Sequence, residues 1–144
     1  DIRLHSMLRY VENHDEVRVA SPQHWGGHGA KVGKAAAGYM FARGRGPCMV
    51  YNGQEVGEPA IGAEGFSGDD GKTSIFDYTS LPVLQKWVNG HAYDGANLSE
   101  EQDDLREWYG KWMKLLQEPA FADGDVYTLN FSNKKNPRFK QRQG

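Results

Sequence analysis

The 144 residues carry 17 Lys and Arg against 19 Asp and Glu, a net charge of −2, and are 38% hydrophobic and 25% charged. This balance suits one globular domain with a real core, and it excludes both a disordered chain and the basic stripe that nucleic-acid binders use to neutralise phosphate. The single cysteine, Cys48, excludes an intrachain disulfide, and no run reaches the roughly 18 apolar residues of a membrane span. Neither nucleic acid nor a membrane is therefore expected as a partner, and the basic tail KKNPRFKQRQG reads as a solvated end.

Met7 to Val11 reads as a short buried strand, followed by the polar cluster Glu12, Asn13, His14, Asp15 and the loop SPQHWGGHG. AKVGKAAAGYMFAR, from Ala30 to about Arg43, predicts a helix with Val32, Ala36, Tyr39 and Met40 on one side, stopped by Gly44 and Gly46. PCMVYNGQE predicts a second buried strand, with Cys48 as an inert thiol inside it. Strand, helix and strand in that order predict a parallel pair joined by a crossover.

A long Gly-rich acidic loop follows, and SLPVLQKW predicts a short helix with Ser80 as N-cap and Pro82 in the first turn. SEEQDDLREWYGKWMKLLQEP predicts the strongest helix: Ser99 and Gln102 have capping-box spacing, acidic residues fill the first turn, and Pro119 ends it. Leu105, Trp108, Tyr109, Trp112, Leu115 and Leu116 share one face. Trp87, Trp108 and Trp112 are expected in the core, and GDVYTLNFSN has strand character.

Three weaker patterns are set aside. GFSGDDGKT has Phe66 where a phosphate loop needs its first glycine, and Asp69 and Asp70 would repel phosphate. His24 and His28 flank two glycines and lack a third ligand, and Asp69, Asp70 and Asp77 do not have the spacing of a 12-residue calcium loop.

YVENHDEVR resembles the end of the seventh barrel strand in the α-amylase superfamily of glycoside hydrolases, and GPCMVYNGQEVGE resembles its eighth strand. TSIFDYTSLPVLQKW and the long helix after it look like the segment leading to the last barrel helix. The resemblance implies an α/β fold: residues 1–119 as the C-terminal portion of a (β/α)8 TIM barrel, about its last two β/α units, and residues 120–144 as the start of a C-terminal β domain or tail. A complete barrel takes about 250 residues. The opening on Asp1 rather than Met reads as a processed, trimmed or excerpted start.

The implied activity is retaining hydrolysis of α-1,4-glucans such as starch or maltooligosaccharides. Its oxocarbenium-like transition state needs carboxylates near the anomeric carbon. By the resemblance, Asp15 is the transition-state stabiliser and His14 donates to hydroxyls of the same sugar ring. Asn13 and Arg18 are candidate substrate contacts, although a structural role is favoured for them and for Glu12. Glu55 either reaches the cleft or ties its loop to the backbone. Trp25 and Phe66 are candidates for stacking on a glucose face.

The family's nucleophilic Asp and proton-donating Glu find no match here, since no Arg stands two residues before an Asp. The chain alone is therefore expected to be inactive and to need missing barrel strands or to self-associate, because two strands leave open edges. The alternatives are an α-glucan transglycosylase or maltosyltransferase of the same superfamily and a non-catalytic glucan-binding remnant. No cofactor or metal is assigned to this segment. The family implies possible calcium in the complete enzyme and a secreted or periplasmic parent.

Overall fold

A computed structural model describes residues 7–62, 69–75, 80–127, 129 and 135. Its regular elements are all helical: α1 (Ala30–Ala42), α2 (Pro82–Val88), α3 (Glu100–Leu115) and the single turn α4 (Pro119–Ala122), with short 3-10 turns at Trp25–Gly27, Gln54–Val56 and Asn89–His91.

This corrects the expected α/β architecture. Among the described residues there is no strand, no sheet and no barrel, and residues 124–127 form no β structure. The two expected strands meet at one isolated parallel bridge between Arg9 and Cys48. There the Arg9 N–H donates to the Pro47 carbonyl and the Met49 N–H to the Arg9 carbonyl, both at 2.9 Å. Each extended segment has a single neighbour, and parallel pairing is the weaker kind per residue. A lone pair of this type does not propagate into a ladder.

Helix–helix packing supplies the core instead. Ala37, Met40 and Phe41 of α1 pack on Leu105 and Tyr109 of α3, with Trp108, Trp112, Leu116, Val11 and Val50 around them. Phe41 meets Tyr109 edge-on at 6.0 Å and lies 5.5 Å from Trp112. Gly38 faces the same indoles, and a Cβ there would stand 3.5 Å from Trp108, an ordinary contact. The buried face of α1 is rotated from the expected one. Ala37 and Phe41 point inward, whereas Tyr39 is exposed and its ring lies under the Arg43 guanidinium.

Helix ends explain where the elements stop. Ser99 and Gln102 form the expected capping box on α3. At the other end of α1, the Arg9 guanidinium donates to the carbonyls of Met40, Gly44 and Gly46 at 2.6, 2.6 and 2.7 Å. A cation there satisfies carbonyls that the helix itself leaves orphaned. Leu81, not Ser80, occupies the N-cap of α2 and makes no side-chain cap.

Candidate functional site

The opening polar cluster divides into an anchored part and a free part. Glu12 is 2% exposed, and its Oε1 accepts the Val19 N–H at 2.6 Å. Its Oε2 lies 3.4 Å from Arg18 Nε. Arg18 is completely buried. Its Nη2 donates to the Asn52 carbonyl at 2.8 Å, its Nε to the Glu58 carbonyl at 3.3 Å, and its guanidinium stacks 4.9 Å over the Tyr51 ring. These contacts tie the loop after Val11 to the loop after Val50. Arg18 therefore faces the interior of the fold.

Between those two anchors the chain turns on Asn13. Its Oδ1 accepts the backbone N–H of Asp15 and of Glu16, both at 2.9 Å, which is the Asx geometry that fixes a tight turn. The Asp15 side chain carries no part of the turn. It is 73% exposed, and among the described residues it is paired with His14 Nε2 at 3.4 Å. His14 and Asp15 thus stand together at the surface on a loop whose shape other residues determine.

The remaining candidates lie apart from this pair. Trp25 is 54% exposed on the turn before α1 and adopts φ 52°, a left-handed conformation that is uncommon for a residue with a Cβ. Glu55 is half-buried beside a shallow depression lined by Val50, Arg106, Tyr109 and Met113. Phe66 and Asp77 lie outside the described residues. Among the described residues no set of three or more His, Cys, Asp or Glu gathers as metal ligands. The His24 ring pairs with Ser21 Oγ at 2.9 Å. Cys48 is half-buried, its Sγ directed at the Gly46 carbonyl at 3.7 Å.

Two features escaped the sequence reading. Glu58 is fully buried, and its Oε2 accepts the N–H groups of Val83 and Leu84. The second feature is a cleft of about 270 Å³ between the Gly27–Gly29 turn, Val56–Gly57 and the first turn of α3. Below it lies a chamber of about 10 Å³ bounded by Glu12, Gln54 and Tyr109. The Gln54 Nε2 donates to the Tyr109 hydroxyl at 2.8 Å. Burial pushes that phenol up to about 12, with Gln54 opposing the shift. No local spacing in the sequence marks either feature, because each joins segments far apart in the chain.

No protein-family model, no curated protein and no solved structure matches this chain.

Proposed function

We propose that this chain supplies one carboxylate of an α-glucan site of the retaining α-amylase type, with Asp15 as the group that stabilises the positively charged transition state and His14 as a donor to sugar hydroxyls. The supporting observation is the separation of duties along Glu12–Asp15. Asn13 forms the turn and Glu12 anchors it, so the Asp15 carboxylate is left facing solvent beside an imidazole. A residue kept only to shape the turn would spend its oxygens on backbone N–H groups, as Asn13 does. The reading rests on this loop and on the YVENHDEVR resemblance, and it invokes no barrel.

Retaining hydrolysis uses a nucleophile and an acid/base that this chain does not offer in the expected motif. The proposed activity therefore belongs to a longer chain that brings those carboxylates to the same sugar. The 144 residues alone bind α-glucan without cleaving it. The exposed Trp25 ring suits a stacking role on a sugar face.

Affinity electrophoresis through a starch gel tests the binding half. Retardation of the chain that is reduced in Asp15→Asn and in His14→Ala is expected, with the folded fraction unchanged because both side chains are at the surface. Asn13→Ala, by contrast, costs about 0.5–1.5 kcal/mol of stability. Equal migration with and without starch overturns the reading. In the longer enzyme, products from maltoheptaose separate hydrolysis, which gives shorter chains only, from transfer, which gives longer ones too.

A further inference from the structure

The interior around Arg18 is short of positive charge. Glu12 and Glu58 are both buried and Glu55 is half-buried nearby, while among the described residues Arg18 is the guanidinium paired with the Glu12 carboxylate, and it reaches Glu58 only at the backbone carbonyl. The donors of Arg18 are already directed at Asn52, Glu58 and Thr73. The backbone N–H groups beside Glu58 go to its Oε2. Glu12 Oε2 is left with no hydrogen-bond donor, only the 3.4 Å approach of Arg18 Nε. A buried carboxylate oxygen without a donor carries the full penalty of its desolvation.

That oxygen belongs to a residue bordering the small inner chamber, and the chamber adjoins the outer cleft. Both spaces are walled by Ala20, Gly29, Gly57 and Leu105. The inner space, about 10 Å³, has room for one group about the size of a water molecule. Besides Glu12, it offers the Tyr109 hydroxyl, whose oxygen already accepts from Gln54. The outer space, about 270 Å³, is lined by Glu101, Gln102, Ser99 and His28, with no Lys or Arg among the described residues of its lining. In the first turn of α3 the capping box already takes up the Gln102 N–H, and the Glu100, Glu101 and Asp103 carboxylates there disfavour an anion. A carboxylate at the floor and another at the rim select for positive charge.

We propose that this cleft binds a small primary ammonium compound, its charged head in the inner chamber against Glu12 Oε2 and its polar remainder in the outer cleft toward Glu101 and Gln102. An ammonium brings three donors and no acceptor, which suits an oxygen without a partner. The site is separate from His14 and Asp15 and does not depend on a glucan activity.

The test is a titration of the full chain with ethanolamine, followed through backbone amide shifts by two-dimensional NMR, with ethylene glycol as the uncharged control of matching size. Saturable shifts at Ala20, Gly29 and Gly57 with ethanolamine are expected, with a dissociation constant on the order of 1 mM, and none with the glycol. Glu12→Gln removes the charge and is expected to weaken binding at least tenfold, roughly the effect of losing one charge-assisted hydrogen bond. Should that variant fail to fold, Ala20→Leu fills the wall common to both spaces and is expected to abolish binding without touching the Glu12–Arg18 pair. Shifts of equal size with the glycol, unchanged ethanolamine binding in Ala20→Leu, or no saturable shift in the parent chain each overturn the proposal.

Discussion

Glu58 caps a helix that begins far along the chain from it: its Oε2 accepts the N–H of Val83 at 2.9 Å, and that of Leu84 at 3.1 Å. The local N-cap residue, Leu81, has no side-chain acceptor to offer, so the carboxylate of a distant loop takes over what Ser, Asp or Asn does elsewhere. Glu58→Ala should therefore destabilise the fold by about 1–3 kcal/mol and speed hydrogen exchange at the Val83 and Leu84 amides. Glu58→Gln keeps an acceptor and should recover part of that loss. Unchanged exchange at those two amides in Glu58→Ala would show that the cap contributes nothing.

Arg18 is the hub between the loop after Val11 and the loop after Val50. Removing it as Arg18→Met leaves Glu12 facing an apolar side chain with its charge uncompensated. Breaking a buried pair in this way costs about 3–5 kcal/mol, and the midpoint of urea unfolding is the measurement. A shift no larger than that of an exposed substitution would mean that Glu12 is already neutral when the pair is intact.

The acidity of Glu12 gives a pH signature. Burial raises it above its ordinary 4.5, and Arg18 with the Val19 N–H offsets only part of that rise. The folded chain then holds this proton at pH values where the unfolded chain has released it. The stability this group contributes is present in full below 4.5 and is lost as pH climbs through the raised value. Glu12→Gln mimics the protonated form, so the parent chain should lose stability relative to this variant as pH rises above 4.5. Parallel pH–stability curves for the two chains would contradict it.

Gly53 has φ 83°, and a Cβ there would stand 2.9 Å from Glu58 Cβ and 3.1 Å from Arg18 Nη2. Both neighbours are buried and bonded, so neither can yield. Gly53→Ala should cost about 1–3 kcal/mol from the left-handed backbone, with the clash adding to it. Chemical denaturation against the parent chain reads this directly. Gly62 also has positive φ but opens onto free space, so Gly62→Ala should cost less.

What was legible in the sequence was what short-range chemistry decides. The spacing of Ser99 and Gln102 and the helix-forming run from Ala30 were sufficient to place α3 and α1, because caps and 3.6-residue periodicity act within a few turns. The inward face of α1 was read one position off at Ala37 and Phe41. Small residues, Ala35 to Gly38, precede Tyr39, and the approach of Trp108 and Trp112 decides which stripe is covered. The apolar runs around Arg9 and Cys48 carry strand propensity, but a strand exists only if a neighbour completes its ladder, and one parallel bridge is all that forms.

The polar cluster shows the same boundary. Its residue types announced a turn with carboxylates and an imidazole, and local hydrogen bonding made Asn13 the residue that shapes it. Which acid would be buried and which exposed was a tertiary decision. Glu12 lies inside because Arg18 and the Val19 N–H come to meet it, and Asp15 lies outside, where His14 is its side-chain partner among the described residues. The sequence by itself determined where α1 and α3 lie and which groups can carry charge, since those follow from neighbours in the chain. Only the tertiary structure decided the Glu58 cap, the Arg18 hub and the chamber at Glu12. Each of these unites residues that are distant in sequence, and burial decides what a charge there costs.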